Sequence, residues 1–348
     1  MTWWFHESHE TGKIPIERVV TRAGGAAVND HWTLGTPISP EFCADLVRSA
    51  GRQPHPWLDL DPVQIRTAYN RRPFLLSHRL SEHPHFTLAA LSALCRRLGT
   101  DHVSCRIGKV PVDAEFDSSL QRYNHGLALD DAIEHLEERE AYIAVYNPER
   151  DAEYRPVIEG LVGEIALQTE QVEPGMNWYS TYLFISARDS VTPYHMDREM
   201  NFLLQVRGRK TVKLWDPLDD EIMSADQREL LLSYVGGRPT YRPSFEAKAM
   251  VFDLAPGLGV HHPFIAPHLV HTGPELSISL AITFRTRRSD TWTNAYRFNH
   301  RLRKLGLHPG PVGHHPLVDR TKSAVINSYR LARRSIARTE DDATTAGV

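Results

Sequence analysis

His195 and Asp197 stand two residues apart in Thr192-Pro193-Tyr194-His195-Met196-Asp197. On an extended segment, residues at that spacing project from the same face. An imidazole and a carboxylate converging there supply two of the three groups in the facial triad of non-haem Fe(II) oxygenases, which needs one more histidine and leaves coordination positions open. In a chain with 19 histidines, a single His-x-Asp also reads as a surface turn or a hydrogen-bonded polar pair. The residues that follow favour chemistry. Asn201 lies on the next predicted strand, and Lys210 lies across a predicted hairpin. Alternation puts Lys210 on one face with Val212 and Leu214, and Thr211 with Lys213 on the other. That pattern points Lys210 inward, where an ammonium is costly unless it meets an anion. A dicarboxylate such as 2-oxoglutarate would be that anion, with its far carboxylate on Lys210 and its keto-acid end on iron. The competing reading is a solvated lysine beside Lys213.

A third ligand is sought further along, where His261, His262, His268 and His271 crowd between Val260 and Gly273. Pro256-Gly257, followed by Ala266-Pro267-His268-Leu269-Val270-His271-Thr272-Gly273, resembles the second metal motif of cupin barrels. In that motif a strand runs through a proline to a histidine and then to a turn glycine. The resemblance selects His268, with His271 as runner-up, and leaves His261 and His262 as loop or supporting residues. An adventitious or pH-sensitive histidine patch is the alternative.

Tyr182 to Pro217, together with Pro256 to Phe284, resembles the JmjC/cupin-like 2-oxoglutarate oxygenases. Within them it is most similar to the branch of the asparaginyl hydroxylase that inhibits hypoxia-inducible factor. The resemblance implies Fe(II) on His195, Asp197 and His268, and the far carboxylate of 2-oxoglutarate on Lys210. It implies that Thr192 and Asn201 line the co-substrate pocket. Tyr142 stands about where the family has a co-substrate-binding tyrosine, a core tyrosine being the other reading. Thr283 stands where the family often has asparagine. The implied reaction consumes 2-oxoglutarate and O2, releases succinate and CO2, and hydroxylates an unactivated C–H on an amino-acid side chain of a peptide or protein.

These residues need elements to position them. From Ser180 to Arg285 the chain reads as short strands: Ser180–Ala187, Asn201–Val206, Lys210–Trp215, Ala249–Leu254 and Ser277–Arg285. β-branched and aromatic residues fill them, and Gly, Pro and Asp separate them. One helix, Ser224–Tyr234, opens on a Ser224/Gln227 capping box. The first 170 residues read as largely helical, with helices at 41–50, 87–98, 129–140 and 154–168. Two more helices are expected at 296–305 and 321–338. The fold class is α+β, with a double-stranded β-helix (jelly-roll) core over 171–288. Residues 1–170 form a mixed helical region able to build a substrate groove, and 289–348 a basic helical segment able to dimerise.

Composition sets outer bounds. Of the 348 residues, 41% are hydrophobic and 24% charged, which excludes collagen-like, disordered and disulfide-scaffold classes. The net charge of −3 hides a split: 13 Lys+Arg against 2 acids from Arg285 to Arg338, behind a body with 27 basic and 38 acidic residues. The split fits internal or dimeric charge complementarity, and it keeps a nucleic-acid-directed oxygenase as an alternative. A small-molecule oxygenase and a non-catalytic, metal-binding regulatory cupin are the remaining ones. Arg188, Arg198, Arg207 and Arg209 lie close in sequence to the expected mouth, placed to attract an acidic substrate or simply solvated. Cys43, Cys95 and Cys105 match no zinc or disulfide spacing and fit a reducing compartment. The start at Met1–Glu7 lacks the pattern of a signal peptide, and no apolar run is long enough to span a bilayer. The expectation is a cytoplasmic protein without a membrane partner.

Overall fold

The computed structural model describes residues 35–345 apart from 236. The expectation on Met1–Glu7 lies outside the described residues. Ahead of the expected barrel come α1 (Pro40–Ala50), α2 (Pro62–Ala68), α3 (Leu88–Leu98), α4 (Phe116–Arg122), α5 (Leu129–Glu134) and α6 (Arg155–Thr169). Five strands are interleaved with them: β1 (Thr36–Pro37), β2 (Leu58–Asp59), β3 (Phe74–His78), β4 (Val103–Ile107) and β5 (Ala141–Tyr146). The chain continues through β6 (Met176–Ser186), β7 (Val191–Met196), β8 (Met200–Arg207), β9 (Lys210–Leu214) and α7 (Ala225–Leu232). It ends with β10 (Met250–Leu254), β11 (Leu258–His262), β12 (Pro267–Thr272), β13 (Ser277–Thr286), α8 (Arg287–Lys304) and α9 (Pro316–Thr345).

Two antiparallel sheets face one another. The larger runs β2-β3-β11-β8-β13-β6-β5-β4, with β1 on β6, and the smaller runs β10-β9-β12-β7. This is the jelly-roll core of an α+β fold. Alternation along the larger sheet divides two apolar interiors. On β13, Leu280, Ile282 and Phe284 pack toward the helices, with Leu183, Ile185, Phe202 and Leu204 from the neighbouring strands. Ala281, Leu203, Tyr182, Tyr142 and Ala144 instead face the smaller sheet and meet Val212, Leu214 and Val270. The candidate site residues therefore lie in the space between the sheets.

The helical reading of the first 170 residues needs correction, because β2 to β5 extend the larger sheet on both sides. Each is five or six residues at most, and β5 is buried along its whole length. Alternation, the usual strand signal, is absent from a strand covered on both faces. The helix expected over 129–140 stops at Glu134, which a continuing helix would set three and four residues from the like charges Glu137 and Glu138, a repelling spacing. α8 begins at Arg287 rather than Tyr296, because Thr286 and Ser289 form a reciprocal cap: Thr286 Oγ1 accepts from Ser289 N at 3.2 Å and Ser289 Oγ from Thr286 N at 2.9 Å. A serine in place of the usual Glu or Gln hid that start. The Ser224/Gln227 box does open α7.

The β8–β9 hairpin that carries Lys210 turns at Gly208, with φ +68°. A Cβ there would lie 2.3 Å from the Leu276 carbonyl oxygen. Gly208→Ala is expected to lose at least about 1–2 kcal/mol from left-handed strain alone. Thermal unfolding of the variant checks this; an unchanged midpoint would contradict it. The three cysteines are buried and unbridged. Among the described residues, no helix is long and apolar enough to cross a membrane.

Candidate active site

His195 sits on β7 and His268 on β12, directly opposite each other in the smaller sheet. Asp197 follows β7 immediately. The Nε2 atoms of His195 and His268 lie 3.8 and 3.9 Å from the two Asp197 carboxylate oxygens. Those separations are too long for hydrogen bonds and suit ligands spread around a shared ion. The Nδ1–H of His195 donates to the Pro193 carbonyl at 2.8 Å, and that of His268 to the Ala266 carbonyl at 3.0 Å. Both bonds fix the tautomer and turn the Nε2 lone pairs toward Asp197. Burial, reinforced by His268 and Arg238, holds His195 well below the ordinary imidazole pKa. Burial also lowers His268, against the opposing effect of Asp197. Both rings are neutral donors for a cation at physiological pH. This N, N, O set fits a first-row divalent metal such as Fe(II).

The ring of Phe116, from α4, lies flat on His195 with centroids 3.6 Å apart. Arg238 contacts this cover through Asp117 at 2.8 Å and donates to the Met196 carbonyl. The cavity under the cover holds about 70 Å³ of water-accessible space and reaches from His195, Asp197 and His268 to Lys210. Lys210 begins β9 and pairs with Thr272, at the opposite end of the small sheet from the His268–Leu214 pair. It is 4% exposed, and its inward companions Val212 and Leu214 are fully buried. Thr211 and Lys213 face outward onto Asp253 and Glu246. Lys210 Nζ donates to Ser279 Oγ at 2.7 Å, and among the described residues no carboxylate reaches it. Burial alone draws its pKa down to about 7.

Thr192, Asn201, Tyr142 and Thr283 all line the same cavity. The Tyr142 hydroxyl lies 3.2 Å from Thr192 Oγ1. Thr283 Oγ1 donates to the Ser180 carbonyl at 2.9 Å and is therefore already engaged. His271 points the other way, half-buried near Lys213 and Glu246, so the runner-up is removed from the cluster by strand alternation. His261 belongs to the helix-side core, stacked on Tyr69 and bonded to Asn70 N and the Asn201 carbonyl. The four mouth arginines separate as well. Arg198 is near the metal end, over the Tyr234 ring at 4.0 Å. Arg188, Arg207 and Arg209 are exposed around the hairpin and loop at the Lys210 end, because β8 and β9 run the full depth of the barrel before turning.

Sequence reasoning missed Arg106, Phe116, Glu199 and Arg238, and left His262 as a loop or supporting residue, although it lines the cavity. Arg106 on β4 is 1% exposed, lies 4.1 Å from the Tyr142 ring centroid and donates to the Ile107, Gly108 and Val191 carbonyls. With Lys210 it gives the cavity two buried cations. The only signal for it was a charged residue inside an apolar five-residue run. A second acidic grouping, Asp226, Glu229 and His300, already holds a cation: Arg303 bonds both Glu229 oxygens at 2.8 and 2.9 Å.

A profile of the cupin-like domain matches residues 58–328, which span both sheets and the whole cavity. The chain belongs to the cupin-like family. No curated protein sequence gave a match. Among solved structures, the cupin-like chain is similar to Escherichia coli YcfD, described as a ribosomal oxygenase, at 15% identity and TM-score 0.40 over 74% of this chain and 60% of that one. Another YcfD structure, with cobalt and 2-oxoglutarate, gives 15% identity and TM-score 0.38 over 75% and 62%. The cupin-like chain thus spans less than two thirds of the length of these proteins, and a likeness at this level assigns none of its residues a role.

Proposed function

We propose that this cupin-like protein is an Fe(II)- and 2-oxoglutarate-dependent oxygenase that hydroxylates an unactivated C–H of an amino-acid side chain in a peptide or protein. One observation carries the proposal: a His–Asp–His set with neutral rings shares a cavity with a buried lysine that no carboxylate reaches among the described residues. A bound Fe(II) would supply the oxygen chemistry, turning 2-oxoglutarate and O2 into succinate, CO2 and a hydroxylated product. His195, Asp197 and His268 would hold the metal and leave positions open for the co-substrate. Lys210 would anchor the far carboxylate, with Thr192, Tyr142 and Asn201 fixing the chain between the two ends. Phe116 and the surrounding aromatic wall would exclude water from the reacting centre.

α4 brings Phe116, Ser119 and Leu120 to the cavity, which supports a role for the 1–170 region in the substrate groove. The resemblance of Tyr182–Pro217 to the asparaginyl hydroxylase branch supports a polypeptide substrate. Ion pairs from the basic segment to the body, Arg303 to Glu229 at 2.8 Å and Arg288 to Glu173 at 3.6 Å, support internal charge complementarity over a nucleic-acid surface. The test is a succinate-release assay with Fe(II) and 2-oxoglutarate, run with candidate peptides and followed by mass spectrometry. A gain of one oxygen on a side chain supports the reading. Absence of any metal-dependent 2-oxoglutarate turnover leaves the non-catalytic cupin as the better one.

The C-terminal helices are proposed to pair two copies. Leu317, Val318 and Val325 on α9 are 76%, 49% and 49% exposed, which supports a further contact there. Val318→Glu with Val325→Glu is expected to convert a dimer to a monomer in light scattering. A monomeric wild-type protein would sink the idea.

A further inference from the structure

His262 ends β11 and is 2% exposed, yet neither of its ring nitrogens has a hydrogen-bond partner among the described residues. His195, His268, His261 and His78 are also buried, and each has at least one nitrogen engaged. An imidazole always carries at least one N–H donor, and a buried donor without an acceptor is destabilising. A leucine would fill the same place without that cost. The side chain therefore makes sense only with an acceptor that arrives from elsewhere.

Its surroundings say where that acceptor lies. His262 lines the same cavity as Lys210 and the His–Asp–His set. Its ring stands edge-on to His268, with centroids 4.6 Å apart, so it sits at the metal end. Its nitrogens do not join the group formed by His195, Asp197 and His268, whose ligand atoms all lie within 4.8 Å of one another. Directly across the β11–β8 ladder stands Asn201, whose Oδ1 is likewise buried and unpartnered. The Asn201 oxygen is an acceptor and offers nothing to an anion, whereas a His262 N–H, beside the metal ligands and far from Lys210, does.

We propose that His262 binds the metal-side carboxylate of a 2-oxo acid, the imidazole donating its N–H to a carboxylate oxygen. This rests on the 2-oxoglutarate reading above and adds to it a specific contact at the oxo-acid end. A linear dicarboxylate anchored on Lys210 reaches the metal end with that carboxylate, and an oxygen there gives His262 the acceptor that the described residues do not supply.

The test uses the full chain loaded with Mn(II), so that binding is read without turnover. Calorimetric titrations with 2-oxoglutarate and with succinate, which has no 2-oxo-acid end, compare wild type, His262→Leu, His262→Gln and Lys210→Ala. His262→Leu is expected to weaken 2-oxoglutarate about 10-fold while leaving succinate and Mn(II) affinity within about twofold. His262→Gln, which keeps a donor, recovers most of the loss, and Lys210→Ala weakens both ligands. Unchanged 2-oxoglutarate affinity in His262→Leu overturns the assignment. So does an equal loss for both ligands, which marks a packing role, or a loss of Mn(II), which marks a metal ligand. Failure of the wild-type protein to bind either compound overturns the co-substrate reading itself, and this contact with it.

Discussion

His195→Ala is expected to lose metal-dependent 2-oxoglutarate turnover and at least about 100-fold in metal affinity. The magnitude follows from a comparison: residues that merely orient a ligand cost about 10–100-fold when removed, and His195 is placed to be a ligand itself. Its Nε2 is aimed at Asp197 by the Pro193 carbonyl, and burial keeps the ring neutral. The substitution also uncovers Phe116, which lies 3.6 Å from the imidazole centroid, so some stability is lost with it. His195→Gln keeps more of that bulk and separates the two effects. Fe(II) or Mn(II) binding by equilibrium dialysis and succinate release measure the outcome, with circular dichroism to check the fold. A folded His195→Ala protein that still decarboxylates 2-oxoglutarate at the wild-type rate would falsify the proposed triad.

Lys210→Ala is expected to weaken 2-oxoglutarate by about 2–5 kcal/mol, or at least about 30-fold, the usual loss when one member of a buried charged pair is truncated. The same lysine makes a prediction in pH. Without a ligand, burial takes its pKa from 10.5 to about 7. Between those values the unfolded chain binds the proton and the folded protein does not, so this group makes stability rise with pH across that window. Lys210→Met removes that part of the slope in denaturation curves. An arriving carboxylate favours the charged ammonium and raises the pKa again. Binding near about pH 8 is therefore coupled to uptake of a proton, and near about pH 6 it is not. Calorimetry in buffers of different ionisation enthalpy reads the uptake directly. Equal proton uptake in wild type and Lys210→Met would show that another group is responsible.

The strands around the site differ in how readily they can be read. β9 announces itself because it is covered on one face only: Lys210, Val212 and Leu214 turn in, and Thr211 and Lys213 turn out. β5 and β11 are almost wholly covered, and their residues carry no alternation. β3 gains its identity by joining β11 far along the chain, and β2 by pairing in turn with β3. Loop-closing contacts of that range leave no trace in a local window. The start of α8 at Thr286 was hidden for a different reason, since its cap uses a serine where glutamate is the recognisable partner.

For the site itself, the spacing of His195 and Asp197 and the alternation around Lys210 were enough to nominate chemistry, because both are consequences of a two-residue repeat within one strand. Among His261, His262, His268 and His271 a motif resemblance picked His268, and the fold supplies the physical reason why the four diverge. Strand alternation sends His271 outward, the β3–β11–β8 packing draws His261 into the helix-side core, and the β7–β12 register sets His268 opposite His195. Arg106 and Phe116, from β4 and α4, reach the cavity only because the larger sheet folds them over it. The amino-acid sequence by itself determined which side chains share a face of a strand. Only the tertiary structure decided which faces meet, because that depends on pairing between segments separated by many tens of residues, where the free energy lies in packing rather than in local pattern.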